Sequence, residues 1–249
     1  PPAPKQLRTR EERRQQAERD RTESDWLQAR FQAALLDYYV GQTYTDKKDK
    51  ARIEALKRAS TNFDLIYQTN RVDASGQVNP IGLFAHMWHG RCADEMGNET
   101  LALDLYDEVL ANAGDATGGA SVAGMEPLFG QVQYFRLQIL ARKSPQEFVT
   151  EAAHFYQENQ RNKEMNATDG YMGVCLELAK AYLKYAEKAS APADRERYGR
   201  MARELINAVA RVRTTHQREA IILKRKMSQA AETDLTQVTK PDEALATWF

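Results

Sequence analysis

Four side chains near the middle of the chain have the types and spacing to meet a metal ion. His86, His89, Cys92 and Glu95 fall at i, i+3, i+6 and i+9. On a helix that spacing drifts slowly around one side and offers imidazole, thiolate and carboxylate donors. A structural zinc site closes with four ligands, and no second cluster completes the set: Cys175 and His154 lie far off in sequence. Three of the four therefore fall on the presumed packing side, where a small thiol and a hydrogen-bonded imidazole fit, and neither metal nor cofactor is expected. Cys92 and Cys175 both sit within amphipathic patterns and read as small buried hydrophobes. Glu151 and His154 make a single Glu-x-x-His pair, where a di-iron bundle needs two. The chain has no glycine-rich phosphate loop, nucleophile elbow, paired-cysteine zinc spacing or calcium loop. A non-enzymatic protein is the expectation. An enzyme domain with a dispersed helical active site is an alternative.

Composition bounds what must position these groups. The 249 residues are 42% hydrophobic and 28% charged, enough apolar mass for a core. Glycine and proline number only 13 and 8, which counts against a turn-rich sheet fold. No run of about 18 uncharged apolar residues is present, so the sequence holds no transmembrane helix. Two cysteines exclude a disulfide scaffold. The 35 basic and 35 acidic side chains cancel, which excludes a uniformly basic nucleic-acid binder. The balance is not local. Residues 93–115 carry seven acids and no Lys or Arg, whereas 195–226 carry ten Lys or Arg against three Glu. Solvated helix faces explain this blandly. Head-to-tail self-association, or an anionic partner at the basic stretch, is the sharper reading. Nucleic acid is the runner-up ligand there, without the aromatic pattern that stacks bases.

The elements follow from periodicity. Residues 1–24 are highly charged and can bury almost nothing, so they form a linker or a lone solvated helix. From Asp25 onward, Trp26, Leu27, Phe31, Ala34, Leu35, Tyr38 and Tyr39 recur at helical spacing. Further helices are read over about 46–68, 81–96, 99–113, 127–142, 145–160, 171–190, 193–213 and 215–231. Gly97-Asn98 reads as a helix stop followed by an N-cap. Ser144-Pro145-Gln146-Glu147 reads as a capping box with proline at the first helical position. Loops are expected at 69–80 (with Asp73, Ser75 and Gly76) and at 114–124. The fold class is all-α, with helices paired in antiparallel hairpins.

One pair carries a pattern of its own. In LFAHMWHGRCADEMGNETLALDLYDEVLAN, Gly90 is a small residue where two helices would cross, and Gly97 marks the turn seven residues later. Ala102 and Tyr106 give a small–aromatic pair, and Leu110 a late apolar position. This unit resembles a tetratricopeptide repeat. It departs from that pattern at His86, Ala93 and Val109. Ala59, Ala102, Phe148 and Ala202 are looser equivalents at steps of 43, 46 and 54 residues, longer than the family's period of about 34. HEAT-type pairs are the structural alternative. The resemblance implies a right-handed α-solenoid superhelix over 25–213, a C-terminal capping helix and tail over 214–249, and a concave groove that binds a protein or peptide. It also implies that Phe84, Met87, Arg91, Asp94 and Glu95 face that groove. The family's carboxylate clamp needs Lys, Asn and Arg at such positions, so Met87 and Asp94 exclude that partner class.

Ile221–Leu223 ahead of Lys224-Arg225-Lys226 fit a capping helix better than a membrane-surface helix. Trp248-Phe249 has no evident core, which leans towards a cut from a longer protein. The proline-led start leans towards an exported or envelope-associated chain whose signal or anchor was removed. Otherwise the chain is cytoplasmic.

Overall fold

Prolines and short polar side chains mark where the helices begin. In the computed structural model, which describes residues 10–72, 78–113 and 124–238, nine α-helices follow one another. They are α1 (Arg10–Gln42), α2 (Lys50–Thr69), α3 (Pro80–Glu95), α4 (Glu99–Ala113), α5 (Glu126–Lys143), α6 (Pro145–Asn159), α7 (Asp169–Lys188), α8 (Pro192–Arg211) and α9 (Gln217–Val238). A 3₁₀ turn, Met165–Ala167, precedes α7. Among the described residues there is no strand beyond the isolated Val72–Val78 bridge. The protein is all-α, as the sparse glycine and proline imply. No described helix is long and apolar enough to cross a membrane.

Caps do the local work. The side chains of Asp49, Asn79 and Thr168 accept from the backbone N–H groups of Ala51, Ile81 and Tyr171, satisfying donors that the first turn leaves open. Prolines stand in the first turn of α3, α5, α6 and α8, where no N–H is missed. Gly97 adopts φ +83°, the left-handed conformation that stops α3. The Asn98 N–H then bonds the Ala93 carbonyl at 2.9 Å, and the Gly97 N–H bonds that of Asp94 at 2.9 Å, a Schellman closure. The Asn98 side chain accepts from Leu101 N–H at 3.3 Å. The capping box expected at Ser144 does not form: Ser144 is the N-cap of α6, but its side chain makes no cap hydrogen bond. The start of α1 also differs from expectation, because the helix runs unbroken through positions 24 and 25.

The chain divides into two compact units, Pro1–Gly119 and Ala120–Phe249, so the boundaries at 24/25 and 213/214 do not coincide with the division. In unit 1, α1 packs on α2, α2 on α3, and α3 on α4. Its interior holds Leu56, Phe63, Ile66, Leu83, Met87 and Tyr106, each under 3% exposed. Phe31 meets Phe63 edge-on at 5.4 Å, and Tyr38 meets Trp88 at 5.0 Å. In unit 2, α5 packs on α6 and α7, α6 on α7, α7 on α8, and α8 on α9. Helix α7 is buried along most of its length, around Leu137, Phe155, Val174, Leu178 and Ile206. Ala220 of α9 is fully buried, with Leu223 and Met227 packed against the same cluster. Residues 1–9, Asp73, Ser75, Gly76, the loop at 114–123 and Trp248-Phe249 lie outside the described residues.

Candidate interaction surfaces

The strip on α3 does not stand open. Met87 is 2% exposed and belongs to the core, and Phe84 is half-buried. Arg91 turns inward to the end of α1. Its Nε donates to the Tyr38 hydroxyl at 3.3 Å, its Nη1 to Asp94 Oδ2 at 2.9 Å, and its Nη2 to Glu95 Oε1 at 2.6 Å. Arg52 of α2, itself 3% exposed, donates from Nη2 to Glu95 Oε2 at 2.5 Å. Burial would raise the Glu95 carboxyl, but Arg91 and Arg52 outweigh it and hold the group below the usual carboxylate range. Of the residues expected to face a groove, Met87 thus lies in the core, and Arg91, Asp94 and Glu95 are engaged by neighbours within unit 1. Helices α2 and α4 flank α3, and Tyr38 and Trp88 bring α1 over it as well, so the charged edge became an internal bolt.

Two of the residues singled out by the repeat pattern, Gly90 and Tyr106, meet each other. A Cβ on Gly90 would lie 2.6 Å from the Tyr106 ring, and Ala102 is fully buried beside it on α4. The helices approach closely because Gly90 has no side chain and the tyrosine ring takes that space. His86 is buried at 2% exposure, stacks on Tyr67 at 3.8 Å and places Nε2 3.0 Å from Glu108 Oε2. The Tyr67 hydroxyl donates to the other Glu108 oxygen at 2.7 Å. Burial lowers both His86 and His89, against the pull of Glu108 and Asp64 respectively. Glu108 is held low chiefly by the Tyr67 hydrogen bond. Burial pushes the Cys92 and Cys175 thiols up to about 12, so neither is poised as a nucleophile. Among the described residues, no three of His, Cys, Asp and Glu stand where they could share a metal ion.

Unit 2 holds a cleft that the sequence did not announce. It measures about 450 Å³ and lies between α5, α6 and the 3₁₀ turn. Phe129, Phe155 and Met165 give it apolar surface. Gln133, Asn159 and Asn162 supply amides, and Glu151, His154 and Glu158 supply charge. His154 Nδ1 lies 3.2 Å from Glu158 Oε2, and Arg136 pairs with Glu151. The lone Glu-x-x-His pair thus sits on the rim, with the histidine 70% exposed. Residues 162–170 read from sequence as only a polar break. The signal was Met165, an apolar side chain inside it that has to be buried somewhere.

Two further surfaces remain. A trough of about 570 Å³ between α8 and α9 is lined by Arg211, Lys224 and Arg225 together with Ser228 and Gln229. On α1, Trp26 is 57% exposed, Leu36 65% and Val40 37%. Compared with family models, with curated proteins and with solved structures, the chain matches none.

Proposed function

We propose that the protein is a non-enzymatic interaction module that binds a peptide or an extended protein segment, its helix pairs stacked in the tetratricopeptide manner as a right-handed superhelix. The cleft of unit 2 is the observation that carries the binding half. An apolar side chain would seat chiefly on the half-buried Phe129, with Phe155 and Met165 buried behind it at 5% and 2% exposure. Gln133 can donate to and accept from a peptide backbone, and Asn162, whose Oδ1 accepts from the Met165 N–H at 3.0 Å, offers its amide N–H groups as donors. Glu151 and Glu158 favour a Lys or Arg beside that apolar residue. The stacking half is supported by the way α5 packs on both α6 and α7, and by the Gly90–Tyr106 contact. Selection from a random displayed-peptide library tests the reading. Peptides pairing an apolar with a basic residue should be enriched, and Glu158→Lys with Asn162→Ala should weaken them at least about tenfold. No enrichment, or binding indifferent to both substitutions, overturns it.

A second reading rests on the α8–α9 trough, whose Arg211, Lys224 and Arg225 suit an anionic partner such as a nucleic-acid backbone. It requires oligonucleotide binding that falls steeply with salt and is lost in Arg211→Ala with Arg225→Ala. Absence of binding at low salt eliminates it.

A further inference from the structure

One face of α1 is left unused by the fold. Trp26, Ala29, Ala33, Leu36 and Val40 recur at steps of three, four, three and four, and all five are exposed. The opposite face, with Ala34 and Tyr38 buried and Phe31 and Leu35 half-buried, already packs inside unit 1. Helix α1 therefore carries two apolar stripes, one inward and one outward. Singly scattered surface hydrophobes need no explanation. A stripe alternating three and four is the seam by which one helix pairs with another.

We propose that this stripe pairs antiparallel with the same stripe of a second copy of the chain, giving a two-fold dimer. Set Ala33 opposite Leu36 of the second copy. Ala29 then faces the other Val40, and Trp26 reaches the other Thr43. In this register the two alanines each face a larger side chain, and symmetry repeats each contact. Charge agrees with size. Arg30 and Asp37 flank the seam on one side, so each Arg30 meets the other copy's Asp37. Within the chain Arg30 lies over the Trp26 ring at 4.6 Å, which holds the guanidinium on that side. Asp37 accepts from Arg58 at 3.1 Å and has lone pairs left for a second guanidinium. A parallel pair would bring Asp25 to Arg30, but it would also set Glu18 beside Glu23 and alanine against alanine, with gaps beside opposed indoles. The contact from Trp26 to Thr43 is about 25 Å long. That is short for a standard interface, so dissociation is expected on the order of tens of micromolar. This face lies in unit 1 and is independent of the unit 2 cleft, so either reading can fail alone.

Sedimentation velocity of the full chain from about 5 to about 300 µM, a range bracketing that affinity, provides the test. The wild type should pass from monomer to dimer, and Leu36→Lys should remain monomeric with an unchanged circular-dichroism spectrum. Arg30→Asp should weaken the dimer at least about tenfold by opposing two carboxylates. Adding Asp37→Arg should restore it, since the Arg58 pair this removes is partly exposed, at 56% for Arg58 and 26% for Asp37, and contributes no more than about 1 kcal/mol to folding. Mixed Ala29→Cys and Val40→Cys chains should cross-link on oxidation, while Ala29→Cys alone should not. A wild type still monomeric at the highest concentration overturns the proposal, as does a dimer indifferent to Leu36→Lys. Efficient self-cross-linking of Ala29→Cys overturns the antiparallel arrangement in favour of the parallel one.

Discussion

The two units hold their helices together by different means. Unit 1 buries polar and charged groups: Arg52 and the imidazole of His86 are 3% and 2% exposed, and Glu95 is bridged by guanidinium groups from α2 and α3. Unit 2 relies on shape, a device unit 1 adds to its ion pairs at Gly90 and at Gly82, where a Cβ would lie 2.3 Å from the Asn70 carbonyl oxygen. Gly170 of α7 crosses Gly130 of α5 so closely that a Cβ on Gly170 would stand 2.2 Å from the Gly130 carbonyl carbon. Gly173 in turn receives the Tyr134 ring, 2.7 Å from where its Cβ would be. Both devices fix which residue of one helix faces which residue of the next. A buried ion pair does so by the high cost of leaving either charge alone, and a glycine crossing does so by excluding every other register sterically.

Glycine substitutions give the largest effects and separate a crossing against backbone from one against a side chain. Gly170→Ala forces a methyl group into backbone that cannot rotate away, and should cost unit 2 about 3–5 kcal/mol in urea titrations followed by circular dichroism. Gly90→Ala meets a side-chain ring that can shift, and should cost unit 1 about 1–3 kcal/mol. Equal costs would mean that the crossings are alike after all.

Charge removal probes unit 1 from the other side. Glu95→Gln leaves Arg52 without the anion that its Nη2 binds, and Arg52 Nε and Nη1 make no hydrogen bond among the described residues. The cost should be about 3 kcal/mol, as for a broken buried pair. Arg52→Met leaves Glu95 still paired with Arg91 and should cost about 1–2 kcal/mol. Trp88 fluorescence, in a chain with Trp26 and Trp248 replaced by Phe, reads both. The reverse order would show that Arg52, not Glu95, is the centre of the network.

The smallest effect is acid sensitivity in unit 1. His86 and His89 are held below their ordinary value of 6.5, so the unfolded chain takes up protons first. Stability should be flat above pH 6.5 and should fall as the pH drops below it. Glu95 and Glu108 are held below 4.5, so a second loss of the same sign begins near that pH. The Trp88 transition midpoint measured between pH 8 and 4 checks this, and His86→Gln should flatten the upper part of the curve.

Legibility followed the range of the cause. Pro127, Pro145, Pro192 and Gly97-Asn98 act within one turn of themselves, so sequence placed those helix ends within a few residues. Ser144 shows the limit of such reasoning, since the motif is present and the cap bond is not. The continuity of α1 across Asp25 was not legible because burial, the cue used, is absent before that residue, while Glu, Arg, Gln and Ala there are good helix formers. Gly90 and Tyr106 were legible through a repeat spacing. Arg52–Glu95 and Gly130–Gly170 were not, being 43 and 40 positions apart with no periodic pattern to connect them. Arg91 misled for a related reason. A charged residue on a helix edge reads as solvated until a third helix closes over it.

The unbroken course of α1 has a mechanical result. A solitary helix as polar as residues 11–25 would be marginal in water, because its first turn costs more than it returns. Here the turn is already nucleated by the anchored segment around Ala34 and Tyr38, so the polar stretch needs only to propagate. The result is a rod of 33 residues, about 50 Å, whose outer half takes its bearing from its root. A flexible tether would only limit how far its end can wander. A rod of this kind also sets the direction in which that end points.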